Sequence, residues 1–191
     1  MKSGLKGLLI VAAIVVVIGM IVGSTYNGLV TGQEATRTAL AQIDTNLQRR
    51  ADLIPNVVAT VQSFASHETD VINAVLEARK ALTSASTLEE KAQADQALTS
   101  ALSGLTLVVE NYPELKSDTV YAGLMDELEG SENRIAVARR DYNNAVQSYN
   151  NKVLRFPGSL IAGMFGFEKL SYFEADAAAA TVPDVSGLLS K

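Results

Sequence analysis

Few residues in this chain are equipped for chemistry. Histidine occurs once, at His67. Glu68 follows it, as in the His-Glu-x-x-His pattern of zinc proteases, where two imidazoles one helical turn apart hold the metal and the carboxylate acts as base. The second histidine would stand at position 71, which is Val71. The Glu-x-x-His pair of di-iron bundles is also absent, because Phe64 lies three residues before His67. Asp70 next to His67 still leaves too few ligands, so His67 reads as a polar residue at a helix junction, with Thr69 or Asp70 capping the second helix. There is no cysteine, which removes disulfides, thiolate metal sites, thiol nucleophiles and a lipidated cysteine. No phosphate-cradling glycine loop, nucleophile elbow or dinucleotide fingerprint occurs. The expectation is no catalytic residue, no metal and no cofactor, hence no enzyme.

The informative charges are those on apolar stripes. Asp44 is four after Leu40 and three before Leu47, and Arg50 is three after Leu47 and four before Ile54. Further on, Glu132 stands between Leu128 and Ile135, and Arg139 between Ile135 and Tyr142, at the same spacings. Residues three and four apart share a helix face. An isolated buried charge costs several kcal/mol, so each needs a partner. If the first and fourth bundle helices run antiparallel, Arg50 meets Glu132 and Asp44 meets Arg139, fixing helix register. The alternative is that the arginine stems lie along the core and their heads reach water. Asp126, Glu127 and Glu129, close to Glu132, read as a solvated helix face.

Two other patterns invite contacts. Tyr142-Asn143 and Tyr149-Asn150 recur at a heptad interval, which suits a coiled-coil-like seam or subunit contact, or tyrosines lining the core with their hydroxyls satisfied at its edge. Between Arg155 and Glu168 runs an uncharged stretch containing Phe156, Pro157, Leu160, Ile161, Met164, Phe165 and Phe167. It is too short to cross a bilayer, and its glycines and Pro157 argue against a regular buried helix. It reads as a cap on the bundle, a subunit contact or a lipid-touching loop.

The elements that position these residues are helical nearly throughout. A first helix is predicted over 26–65, with Leu40, Ile43, Leu47, Ile54, Val58, Val61 and Ala65 on one stripe and a kink or break at Pro55, which lacks the N–H owed to the carbonyl four residues back. A second covers 69–82 through Val71, Val75, Ala78 and Leu82. Thr87 and Glu90 have capping-box spacing and open a third, to about Asn111. Ser117 or Asp118 opens a fourth, to about Leu154. Four amphipathic helices with short links predict an all-α, antiparallel up-down bundle whose first helix is long and kinked.

Ahead of them, Leu8 to Val22 is apolar apart from Gly19, and no charge occurs from Gly7 to Gln33. As a helix, residues 4–26 span about 35 Å, enough to cross a bilayer. A cleaved signal peptide and a retained anchor compete, and the mediocre site at Val22-Gly23-Ser24 favours the anchor. Lys2 and Lys6 precede the run, and only Arg37 is basic soon after it, which keeps the N-terminus cytoplasmic and the bundle outside. A six-residue tail could itself cross, placing the bundle in the cytoplasm. The division is thus 1–25 anchor, 26–155 bundle, and 156–191 apolar segment and tail, with an Ala-rich tract at Ala177–Ala180. The whole is 191 residues with 48% hydrophobic residues and net charge -5. Such a chain is not disordered, and its acidic balance argues against nucleic acid as a partner.

Several segments together resemble the LemA family of bacterial membrane proteins. They are Tyr26-Asn27-x-Leu29-Val30, Ile43-Asp44-x-x-Leu47-x-Arg49-Arg50-x-Asp52-Leu53-Ile54-Pro55-Asn56, His67-Glu68, Ala78-Arg79 and Tyr112-Pro113-x-Leu115-Lys116. Glu132-x-x-Ile135-x-x-Ala138-Arg139-x-x-Tyr142-Asn143-x-x-Val146-x-x-Tyr149-Asn150, Phe156-Pro157, Phe167, Tyr172-Phe173 and Pro183 complete the pattern. The resemblance implies a single-pass anchor in a bacterial cell membrane and a helical-bundle domain, and brings no enzyme activity. Through a relative on magnetosome membranes it points toward membrane organisation. The expected function is a membrane-anchored scaffold that self-assembles and organises membrane regions or other membrane proteins. Its partners are then the lipid bilayer, further copies of itself and other membrane proteins. The alternative is a monomeric tethered adaptor that binds a peptide or protein in a bundle groove.

Overall fold

The computed structural model describes residues 2–173. The Ala-rich tract and Pro183 lie outside these. Among the described residues there are six helices and no strand: α1 (Lys2–Phe64), α2 (Thr69–Ser84), α3 (Leu88–Val109), α4 (Pro113–Lys116), α5 (Thr119–Leu154) and α6 (Gly158–Phe165).

Of the kink or break expected at Pro55, the break does not occur. α1 is one helix of 63 residues that contains both the apolar run and Pro55. Proline at 55 deprives the Ala51 carbonyl of its intrahelical donor. Arg79 of α2 supplies one instead, its Nε–H donating to Ala51 O at 2.9 Å. A foreign donor at that carbonyl removes one of the reasons for a helix to end there.

α3 starts where the capping box places it. Thr87 Oγ1 accepts from the Glu90 amide at 3.1 Å, and Glu90 Oε2 accepts from the Thr87 and Ser86 amides at 3.0 and 2.8 Å. These backbone donors hold the Glu90 carboxyl down at about 2, against 4.5 for an ordinary glutamate. α5 opens at Asp118, whose carboxylate accepts from the Tyr121 amide at 2.8 Å. The short α4, unforeseen in the sequence, begins on Pro113, whose fixed φ suits a first helical position.

The chain divides into two compact units: residues up to Gln42 with Ala138–Tyr172, and Ile43–Val137 with Phe173. Residues 156–172 gather with the early part of α1 in the first unit. The second unit buries Ile43, Leu47, Ile54, Val57 and Val61 of α1, Ile72, Val75 and Leu82 of α2, Leu98, Leu102 and Leu105 of α3, and Leu128 and Ile135 of α5. Ile72 takes the inward place expected for Val71, which is half-buried. The first unit has a smaller core of Leu29, Tyr149, Val153, Ile161 and Ala162, with Val22, Phe167 and Leu170 packed on it.

Candidate functional site

Two places gather the residues singled out in the sequence, one in each unit. In the second unit Arg50 is almost fully buried, at 2% exposure. Its Nη1 donates to Asp95 Oδ1 at 2.6 Å. Its Nη2 donates to Thr99 Oγ1 at 3.0 Å and to Glu132 Oε2 at 3.3 Å. One guanidinium thus joins α1, α3 and α5. Asp95 is buried too, whereas the Glu132 side chain is 55% exposed. A buried carboxylate close to a buried cation is the stronger of the two contacts, because water screens the other.

Asp95 escaped the sequence reading. The signal was present: Asp95 lies one residue after Ala94 and three before Leu98, so it too is a charge on an apolar stripe. The same holds for Lys91. Asp44 takes Lys91 of α3 as its cation, Nζ to Oδ1 2.6 Å. Arg139 is half-buried on α5 and belongs to the first unit. The third helix supplies charges to the first that an argument restricted to the first and fourth helices overlooked.

His67 is exposed in the turn between α1 and α2. Glu68 beside it accepts from the Tyr112 hydroxyl at 2.9 Å, and that bond raises the tyrosine above its ordinary range. Among the described residues no three His, Asp or Glu side chains gather as a metal site would require. Asp126, Glu127 and Glu129 are exposed on α5.

In the first unit Tyr142, Tyr149 and Asn150 are buried and point inward, as in the core-lining alternative. The Tyr142 hydroxyl donates to Ser171 O at 3.0 Å. Asn150 bonds both backbone groups of Leu170, at 2.9 Å each. The Tyr149 hydroxyl is buried with no hydrogen-bond partner among the described residues. Burial pushes both phenols up in pKa. These residues hold the segment after α6 against α5, and the half-buried Asn143 stands beside them.

Eight residues of the uncharged stretch, Gly158–Phe165, form a helix despite its glycines, and that helix is only partly buried. Gly158 at the start of α6 is demanded by space: a Cβ there would lie 2.0 Å from Lys152 O. Gly166 closes the helix with φ +76°, the left-handed conformation that glycine adopts without strain. Ile161 and Ala162 pack into the small core, and Phe165 and Phe167 meet the Tyr26 ring edge-on at centroid distances of 4.9 and 5.7 Å. Leu160 and Met164 of the helix are open to solvent at 61% and 74% exposure, and so is Phe156 in the turn before it, at 80%. Beside it lies a cleft of about 310 Å³ lined by Thr25, Gly28, Asn151, Lys152, Arg155, Phe156, Pro157 and Gly158.

α1 also exposes the side chains of its apolar run from Leu8 to Ile21, and it is the one described helix long and apolar enough to cross a membrane.

Comparison with known proteins gives consistent results. The sequence model of the LemA family matches residues 39–186. Magnetosome protein MamQ 2 of Paramagnetospirillum magneticum is 31% identical over 175 residues, covering 78% of this chain and 64% of that protein. Magnetosome protein MamQ of Magnetospirillum gryphiswaldense is 28% identical over 174 residues, with the same coverage. Protein LemA of Metamycoplasma hominis is 23% identical over 154 residues, covering 78% of this chain and 68% of that one. The chain therefore spans less than two thirds of the length of the magnetosome proteins it matches.

Proposed function

The chain belongs to the LemA family, and from that premise we propose that it is a single-pass membrane protein that assembles with further copies of itself to organise a region of membrane and the proteins in it. The observation that carries this reading is the apolar run of α1, whose side chains from Leu8 to Ile21 find no cover among the described residues. A stretch of this length and exposure belongs in lipid. The names of the magnetosome proteins to which the chain is similar support a role at a membrane-bounded structure. The role is structural rather than catalytic. The polar groups brought together, Arg50 with Asp95, Thr99 and Glu132, bond one another, and their use is to fix how the helices of an antiparallel bundle align.

Lys2 and Lys6 before the run, against a lone Arg37 soon after it, put the N-terminus in the cytoplasm and the helical domain outside. A C-terminal tag open to protease in intact cells supports this side, and a protected tag reverses it.

The test of assembly is the mass of the full-length protein in mild detergent, measured by light scattering. A defined oligomer supports the scaffold. A monomer at every concentration overturns it and turns attention to the tethered adaptor, for which a partner peptide must then be found.

A further inference from the structure

We propose that α6 is a second membrane contact: an interfacial helix that lays its open apolar face into the leaflet where α1 emerges, with Lys152 and Arg155 meeting anionic lipid headgroups. The proposal rests on reading the apolar run as a span, and it adds a site that the run alone does not imply.

Depth is the first argument. From Gly7, where the uncharged run begins, to Tyr26 is about 29 Å of helix, close to the thickness of a bilayer's hydrocarbon. Tyr26 therefore stands at the headgroup level, where tyrosine is favoured. Phe165 of α6 packs on Tyr26 at 4.9 Å, and Val22 packs on the core that contains Ile161 and Ala162. α6 is thus held against the last residues of the span, at interface depth.

Its surface is the second argument. α6 turns Ile161 and Ala162 inward yet keeps apolar side chains on the outside, where Leu160 and Met164 lie one turn apart, and Phe156 is exposed in the turn that precedes the helix. Large apolar side chains at this density on a short solvent-facing helix call for cover. Charge then decides what covers them. Lys152 and Arg155 line the adjoining cleft, and the sequence from Asn151 to Phe167 contains no acidic residue. A second copy docking the same face across a two-fold axis would bring these cations toward their own images. A leaflet offers both an apolar layer and phosphates, which match the two halves of the surface.

The chain has no cysteine, so single labels are clean. Full-length protein bearing L160C or M164C is labelled with an environment-sensitive fluorophore and placed in phosphatidylcholine vesicles, with and without phosphatidylglycerol. V15C in the span and E127C on exposed α5 serve as references. Lipids carry a quencher either just below the headgroup or deep in the acyl chains. Labels at 160 and 164 are expected to be quenched severalfold more than the label at 127, by the shallow quencher above all. Phosphatidylglycerol is expected to increase this, and the K152Q/R155Q pair to cancel the increase. Deep quenching at 15 without quenching at 160 and 164 overturns the proposal and leaves the span standing. Shielding at 160 and 164 that vanishes when the protein is diluted in lipid identifies a second copy and overturns it equally. No quenching at 15 overturns the span, and the proposal with it.

Discussion

The Nε–H of Arg79 donates to the carbonyl of Ala51 at 2.9 Å, and Ala51 is the residue whose own helical donor Pro55 removes. A side chain of α2 thus completes a hydrogen bond that α1 cannot make for itself. A charged donor to a part-buried carbonyl is worth about 1.5–3 kcal/mol. Arg79→Met is expected to destabilise the second unit by about that amount in urea unfolding followed by circular dichroism. In a Pro55→Ala background position 55 regains its N–H, so the same change should cost much less. Equal costs in the two backgrounds would mean that Arg79 stabilises by packing alone.

That bond also marks where sequence reasoning stopped. Pro55 was legible, and so was its local consequence, a carbonyl left without a donor. The donor that this carbonyl finds comes from a residue 28 positions from Ala51, and no local pattern reports it. The helical class, the Thr87–Glu90 cap and most buried stripe positions depend on neighbours three or four apart and were readable for that reason. The regular form of α6 was not. Glycine and proline lower helix propensity, yet Gly158 is required by the closeness of Lys152 O, a contact only the folded chain has.

The two carboxylates on Arg50 are expected to differ in weight. Asp95 is buried and 2.6 Å away, so Asp95→Ala leaves a buried guanidinium with only the water-screened Glu132 carboxylate and should cost about 3–5 kcal/mol. Glu132 is half-exposed at 3.3 Å, and Glu132→Gln should cost at most about 1 kcal/mol. Chemical denaturation of the two variants checks the order. Because both residues share one guanidinium, Arg50→Met with Asp95→Ala should cost less than the sum of the single changes.

The heptad-related tyrosines offer an internal control. Tyr142→Phe removes a hydroxyl that donates to Ser171 O and should destabilise by about 1 kcal/mol. Tyr149→Phe removes a buried hydroxyl without a partner among the described residues, which relieves a desolvation cost. It should be neutral or stabilising by up to about 1 kcal/mol. Thermal melts in one detergent suffice for the comparison, and a large loss on Tyr149→Phe would contradict it.

The start of α3 should respond to acid. Glu90 is held at about 2 in the fold and titrates near 4.5 when free. A depressed carboxyl contributes stability that is complete above the unfolded value and fades as pH falls toward the folded one. The advantage of wild type over Glu90→Gln in melting temperature is therefore expected to be steady above about pH 5 and to shrink as pH falls toward 2. Carbon-detected titration of the Glu90 carboxyl gives the folded value directly.

Gly158 is where the docking of α6 is most exposed to a single change. A methyl group there would meet Lys152 O at 2.0 Å, a backbone atom that cannot swing aside. Overpacking of this kind costs about 1–3 kcal/mol. Relief requires the start of α6 to move off the end of α5. Gly158→Ala should therefore loosen Ile161 and Ala162 from Leu29 and Tyr149, while the second unit, with its own core, keeps its stability. Amide exchange by mass spectrometry should show faster exchange across 158–165 and unchanged protection in α2 and α3. Gly163→Ala, at a helical position of α6 with nothing within 4 Å of its added carbon, is the matched control and should leave exchange unaltered or slower.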